Sequence, residues 1–290
     1  MSKKILITGA SGGFGMLTVK KLLENGHQVV AAMRDVNGRN NLNSDKLRQL
    51  GAIIVELDVT NDNSVVNGVN EAISKLGGLD VLFNNAGIGS VGMLEHFTTA
   101  DFQKLYEVNV FGVQRMNRAV APFFRKQQKG LIVYTSSLLG RITLPFYGLY
   151  QSSKWALEAL AENYRSELSG FGIENCIVEP GGFPTAFAEN LLKPSDLSQD
   201  VSYGDFMQAP QKMGENFHNV LMNNPQQNPQ CVADTFANLV DLPYGEKPFR
   251  TTVDYLGMGD NVEKYNNLLG QVTQGLYTNF GIVEMLSVKK

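Results

Sequence analysis

The sequence of 290 residues is poor in the side chains that ligate metals or form cross-links, with two cysteines, Cys176 and Cys231, and three histidines, His27, His96 and His218. The histidines are scattered without metal-ligand spacing, so no metal site is expected. Two cysteines far apart, one of them inside an apolar run that reads as a buried strand, exclude a disulfide framework and point to core thiols in a reducing cytoplasm. No apolar run reaches the roughly eighteen residues of a bilayer-crossing helix, and the one after Met-Ser-Lys-Lys is too short for the core of a secretion signal. Charge is nearly balanced, 25 basic against 28 acidic residues, without a run of one sign. That excludes a nucleic-acid stripe or a membrane patch and leaves a small soluble molecule as the expected partner. Internal repeats are absent as well. The length permits two domains, but a doubly wound sheet fills it as one, and a single domain over 1–290 is expected.

What is present is an alternation of short apolar runs and amphipathic periods. Residues 4–8 are apolar and β-branched, and are followed at once by Gly9-Ala10-Ser11-Gly12-Gly13-Phe14-Gly15 and a helical period closed by Asn25-Gly26. Strand, glycine turn and helix together suit a dinucleotide: glycine lets backbone approach a pyrophosphate, and the helix N-terminus directs amides at it. The second strand, 28–33, ends at Arg34. A carboxylate at that position would take the adenosine ribose hydroxyls, whereas a basic residue accommodates a 2′-phosphate. Asp35 follows directly, so both chemistries are present; the order favours NADPH over NADH.

A short helix is predicted over 44–50, a third strand over 52–57 with Asp58-Val59 placed to meet an adenine edge, a helix over 63–76 and a fourth strand over 79–83. That strand stops at Asn84-Asn85-Ala86-Gly87, where backbone can pass close to a cofactor or simply turn. From the cap Thr98, with Asp101 in the first turn, a long helical pattern runs to 126. Asn109 lies inside it, and either bonds locally and bends the helix or holds a water near reacting groups.

Strands are predicted over 131–136, 173–178 and 249–253, giving about seven in all. The class is α/β, a doubly wound, Rossmann-like parallel sheet. Tyr150 and Lys154 stand four apart at the head of a helical period, so phenol and ammonium share a face. A fixed positive charge favours phenolate and brings the tyrosine toward working pH. Ser137, at the end of the fifth strand, would supply a hydroxyl beside it. The sixth strand ends in Glu179-Pro180-Gly181-Gly182-Phe183-Pro184-Thr185. Residues 186–230 mix bulky apolar side chains with Pro, Asn and Gln, and read either as a substrate lid or as a surface helix pair with a loose linker. Residues 231–290 extend the same core.

Thr8-Gly9-x-x-x-Gly13-x-Gly15, Asp58, Asn84-Asn85-Ala86-Gly87, Asn109, Ser137, Tyr150-x-x-x-Lys154 and Pro180-Gly181-x-x-x-Thr185 stand in the order and at the spacings of the short-chain dehydrogenase/reductase family, which the first two thirds of the chain resembles. The resemblance implies that Asn109, Ser137, Tyr150 and Lys154 form a catalytic tetrad. It places Gly9, Ser11, Gly13, Phe14, Gly15 and Arg34 at the phosphates and adenosine, and Asp58 and Val59 at the adenine. Asn85, Ala86 and Gly87, with Tyr150 and Lys154, would meet the riboses. Pro180, Gly181, Phe183 and Thr185 would stand at the nicotinamide. Leu139, Phe146, Tyr147 and Phe187 would line an apolar substrate pocket, as in members acting on retinoids and steroids.

The implied activity is NADPH-dependent hydride transfer to a medium-sized apolar ketone or aldehyde, or the reverse alcohol oxidation. A homodimer or homotetramer is implied by the same likeness. Gly12 beside Gly13 also satisfies the turn of the family's sugar-nucleotide branch, so an epimerase or dehydratase is the alternative. A non-catalytic NADPH-binding redox sensor is another.

Overall fold

The computed structural model describes every residue except Gln199 and Lys290, so those positions of the expected lid and C-terminal extension lie outside the described residues. Seven strands, β1 (Lys4–Thr8), β2 (Gln28–Met33), β3 (Ile53–Glu56), β4 (Val81–Asn84), β5 (Gly130–Thr135), β6 (Ile173–Pro180) and β7 (Arg250–Val253), form one sheet. It is parallel throughout and ordered β3-β2-β1-β4-β5-β6-β7. The helices are α1 (Gly13–Glu24), α2 (Asn41–Gln49), α3 (Asp62–Leu76), α4 (Thr99–Tyr106), α5 (Gly112–Gln127), α6 (Gly148–Ser169), α7 (Asp200–Tyr203), α8 (Ala209–Met222), α9 (Gln230–Asp241) and α10 (Gly259–Asn279).

The strands read as continuous apolar runs because both faces of the sheet are covered. Ile5, Ile7, Val29, Ala31 and Val133 point to one layer, shared with Val19 and Leu22 of α1, Leu47 of α2 and Phe236 of α9. Leu6, Val30, Ala32 and Ile132 point to the other, with Val69 of α3, Met116 and Phe124 of α5 and Leu157 of α6. From β1 the chain winds outward to β3 and then returns to β4 on the other side. The carboxyl ends of β1 and β4 therefore flank the crevice where such sheets bind ligands. A buried polar chain crosses the second layer: Asn84 donates to Asn117, Asn117 to Tyr134 and Tyr134 to Asn175, at 2.9, 3.1 and 3.0 Å.

Two departures from the sequence pattern matter for the site. The helix expected from 98 to 126 is broken by a π-helical turn, Glu107–Phe111, between α4 and α5, with Asn109 at its centre. In the described part of residues 186–230, α8 is largely exposed, while residues 192–195 bond back to the β4 loop and α4. Leu192 N donates to Gly89 O at 2.8 Å, and Asp101 Oδ2 accepts from Ser195 N at 3.2 Å and from Ser195 Oγ at 2.6 Å. Both cysteines are free thiols, Cys176 buried and Cys231 half-buried. No helix among the described residues is long and apolar enough to cross a membrane.

Candidate active site

The glycine turn after β1 is shaped first by its own packing. Gly9 has φ +66°, and a Cβ on it would lie 2.7 Å from Ala86 Cα; one on Gly15 would lie 2.3 Å from Gly9 O. These two glycines let α1 start against the β4 loop. Gly12 is different. It is the N-cap of α1, without a side-chain cap or an acidic residue in the first turn, and among the described residues no heavy atom lies within 4 Å of a Cβ built on it. The first amides of α1 thus open onto the crevice without a side-chain partner, which fits a pyrophosphate in shape and polarity. Across the crevice the loop after β6 comes close: buried Phe183 packs edge-on to Phe14 at 5.7 Å, and Thr185 Cβ is 3.9 Å from where a Gly13 side chain would begin.

At the adenosine end the structure separates Arg34 from Asp35. Asp35, at φ +50°, turns its carboxylate onto Arg39 N at 2.9 Å and is spent on its own turn. Arg34 remains half-exposed at the strand tip, with Nη1 3.8 Å from Asp58 Oδ2. Asp58 Oδ1 accepts from Thr60 N and Oγ1 at 2.9 and 2.8 Å, and Val59 is buried, a methyl of it 2.9 Å from where a Gly112 Cβ would stand. This pair, expected at the adenine edge, has its side chains committed to the turn after β3 and to α5.

Asn85, expected at a ribose, is likewise committed. Its Nδ2 donates to Thr8 O and Gly9 O at 3.0 and 3.3 Å and its Oδ1 accepts from Thr135 Oγ1 at 3.3 Å, so it ties β1, β4 and β5 together. Ser11 O accepts from Asn43 Nδ2 at 2.8 Å. Pro180 closes β6, and Gly181 N donates to Val253 O at 2.8 Å, so both set the course of the loop carrying Phe183 and Thr185.

The tetrad is brought together at the ends of β4 and β5. Lys154 is 5% exposed; its Nζ donates to Thr135 O at 2.7 Å and lies 5.7 Å from the Tyr150 ring centroid. Burial lowers Lys154 to about 8, opposed by Glu158. Burial pushes the Tyr150 phenol up to about 12, opposed by a hydrogen bond with Ser137. The expected lowering of the phenol by Lys154 is not seen beside that rise: the ammonium lies 5.7 Å from the ring centroid and donates to the Thr135 carbonyl. Ser137 Oγ accepts from Leu139 N at 3.1 Å, which leaves its hydrogen to donate.

Asn109 stands at the irregular turn expected of it. The helix does bend at its π turn, yet its amide bonds across the cleft rather than locally. Oδ1 accepts from Ile88 N at 2.9 Å, while Nδ2 donates to Ile88 O at 2.9 Å and to Ser153 Oγ at 3.0 Å. It fastens the β4 loop to α6. A Cβ on Gly87 would stand 3.5 Å from Asn109 Oδ1 and 3.8 Å from Lys154 Nζ, so the Ala86-Gly87 backbone borders the tetrad.

The apolar side chains lie on the lid side. The Phe187 ring, 41% exposed, stands edge-on to Tyr150 at 5.8 Å. Phe146, at φ +69°, packs on Phe206 at 6.0 Å, half-buried Tyr147 stands at the N-cap of α6, and Leu139, two residues after Ser137, lies in the short turn that Ser137 caps. A cavity of about 780 Å³ lies between Arg34 and Thr60, Ile88 and Val108, and residues 190–193. The sequence reading missed Asp101 and Ser195 as the lid's anchor. It also missed Arg141, Glu158, Glu179 and Arg250 beneath the tetrad, although Glu158 stands at the same spacing from Lys154 as Lys154 does from Tyr150.

The short chain dehydrogenase family model matches residues 3–196. A 3-ketodihydrosphingosine reductase of Bacteroides thetaiotaomicron is 40% identical over 201 residues, 69% of this chain and 71% of its own length. Retinol dehydrogenase 8 of Bos taurus is 34% identical over 250 residues, 82% and 78% of the two chains. A solved short-chain dehydrogenase from Streptomyces avermitilis superposes with a TM-score of 0.75 at 26% identity, covering 97% of this chain and 98% of that one. A short-chain dehydrogenase/reductase from Burkholderia phymatum in complex with NAD does so with 0.72 at 25%, covering 87% and 89%.

Proposed function

The chain belongs to the short-chain dehydrogenases, and on that premise we propose that it is an NADPH-dependent reductase of medium-sized apolar ketones or aldehydes, or the corresponding alcohol dehydrogenase, with Tyr150 as general acid or base. The observation that carries the reading is Tyr150 on α6, with the Lys154 ammonium 5.7 Å from its ring centroid and the Phe187 ring edge-on to it at 5.8 Å. Two relatives are named for 3-ketodihydrosphingosine and for retinol, and the proposal extends that apolar class to this chain.

The amides from Gly12 to Phe14, with Ser11, would hold the pyrophosphate, and Arg34 the 2′-phosphate. The Ala86-Gly87 backbone and Lys154 would meet the nicotinamide ribose, and Phe183 and Thr185 the carboxamide. The bound nicotinamide supplies hydride. As the substrate carbonyl oxygen gains charge, the Ser137 hydroxyl donates to it where that charge is largest. Tyr150 then delivers its proton, and the Lys154 ammonium steadies the phenolate that is left. Phe187, with Phe146 and Leu139, selects an apolar substrate and keeps water from the transfer.

Fluorescence titration with both reduced nicotinamides, followed by a carbonyl panel at saturating cofactor, tests the reading. NADPH should bind tighter than NADH, and apolar ketones should turn over faster than sugar ketones. Equal binding of the two, or preference for polyols and sugars, would refute it.

A further inference from the structure

Helix α6 sets four groups on one stripe, each a helical turn from the next: the Tyr150 phenol, the Lys154 ammonium and the carboxylates of Glu158 and Glu162. The stripe runs beneath the crevice into a cluster fed by four other segments. Arg250, the first residue of β7, donates to Glu158 Oε2 from Nε at 3.2 Å and from Nη2 at 3.1 Å, also bonds Glu162, and lies 3.3 Å from Glu179 near the end of β6. Arg141, in the turn after β5, lies 3.9, 3.8 and 3.9 Å from Glu158, Glu162 and Glu179 and packs against the rings of Trp155 and Tyr265. Asn266 of α10 donates to Glu179 Oε2 at 2.6 Å and accepts from Arg141 Nε at 2.9 Å. Glu158 is 1% exposed and Glu179 is fully buried.

Such a cluster is a poor source of stability, since well-packed apolar side chains in place of a buried ion pair are often neutral or better. Arg141 Nη2 even lacks a hydrogen-bond partner among the described residues. Its place under α6 gives it another use. The buried Lys154 ammonium donates to a neutral group, the Thr135 carbonyl, and a buried ammonium in neutral surroundings gives up its proton. On its own helix Lys154 has Tyr150 and Glu158. Beyond Glu158 stand Arg141 from the turn after β5, Glu179 from β6 and Arg250 from β7; β5 itself presents a carbonyl and the π turn the neutral amide of Asn109. Gly140 closes this arrangement, because a Cβ there would lie 3.1 Å from Glu158 Cγ and 3.3 Å from Lys154 O.

We propose that Glu158 is a positioning residue for proton transfer: clamped by Arg250 and Arg141, it is the counter-charge that keeps Lys154 an ammonium beside Tyr150. The inference rests on the assignment of Tyr150 as the acid and Lys154 as its partner. Burial raises Glu158 as well, and the two arginines oppose that rise, so they hold the carboxylate that holds the ammonium. Removing Glu158 leaves burial of Lys154 unopposed and carries its titration below about 8.

The test compares wild type, Glu158→Gln, Glu158→Asp and the double variant Glu158→Gln/Arg250→Gln. In Glu158→Gln the alkaline fall of the reduction rate should move about one pH unit toward acid, roughly a tenfold loss at a fixed pH on that limb. Glu158→Asp should move it the same way by less, and the double variant, which removes a cation with the anion, should move it back. The Lys154 side-chain NMR resonance, assigned by its loss in Lys154→Met, should titrate in step. A limb and a resonance that stay put in Glu158→Gln would overturn the proposal, as would a loss equal at every pH, which marks a structural role. Should Glu158→Gln fail to fold, Glu158→Asp decides by the same two readouts. A wild type that reduces no carbonyl would sink the functional reading instead, and the resonance would still decide the role of Glu158.

Discussion

The two walls of the crevice are built in different ways. The deep wall, from the glycine turn through the ends of β4 and β5 to α6, hangs on a parallel ladder with both faces buried, and Asn85, Asn109 and Lys154 each bond backbone of another element. The shallow wall, the described part of residues 186–230, is tied to the rest by scattered bonds, among them the bridge at Leu192, Ser195 to Asp101, Tyr203 to Glu95, and Gln227 to Gly182 and Tyr255, and it leaves Phe187, Phe206 and Met222 41–61% exposed. Few buried apolar contacts and exposed backbone bonds mark the low-stability end of a structure. The proposed function would put proton transfer on the closely bonded wall and substrate selection on the more exposed one.

The comparison can be broken from either side. On the deep wall, Gly15→Val forces a side chain against Gly9 O and Asn85 Nδ2 and should cost ~2–3 kcal/mol, with a lower thermal midpoint and weakened NADPH binding. A variant as stable as wild type would show that the turn is looser than described. Arg34→Ala removes the charge at the β2 tip and should reduce the preference for NADPH over NADH by about tenfold, read from paired titrations. An unchanged ratio would place the selection elsewhere in the cavity.

The pH dependence sharpens the same contrast. With Tyr150 at about 12 the donor stays protonated, whereas Lys154 at about 8 loses its charge as pH rises. Reduction should hold at neutral pH and fall above about 8, as the ammonium that steadies the phenolate is lost. On the shallow wall, Ser195→Ala removes the hydroxyl bond to Asp101 and keeps the backbone one; the Asp101 carboxyl is pushed up by burial but held below its ordinary value by hydrogen bonds from Ser195 and Thr98. KM for an apolar ketone should rise by about threefold with the thermal midpoint nearly unchanged, the size expected from one hydrogen bond at a partly exposed site.

Much of the deep wall is legible in the sequence because its determinants are local. Apolar runs, the glycine turn and the spacing of Tyr150 and Lys154 need no knowledge of distant neighbours. The side-chain partners of Asp58, Asn85 and Asn109 are not legible in that way, since which backbone amide lies opposite each depends on strand order. The π turn hides inside an unbroken helical period. The phenol's titration also could not be read from spacing, since desolvation by neighbours distant in sequence, Phe187 among them, raises it. The cluster of Arg141, Glu179, Arg250 and Asn266 is assembled from four segments spread over about half the chain. Glu158 and Glu162 alone carried a local sign, by continuing the spacing of Tyr150 and Lys154.

Turnover of an apolar ketone at saturating NADPH in Tyr150→Phe, set beside its NADPH titration, tests the central claim most directly. Loss of the hydroxyl should cut turnover by at least ~10²-fold and leave NADPH binding nearly intact. Turnover close to wild type would show that the proton reaches the substrate from another group.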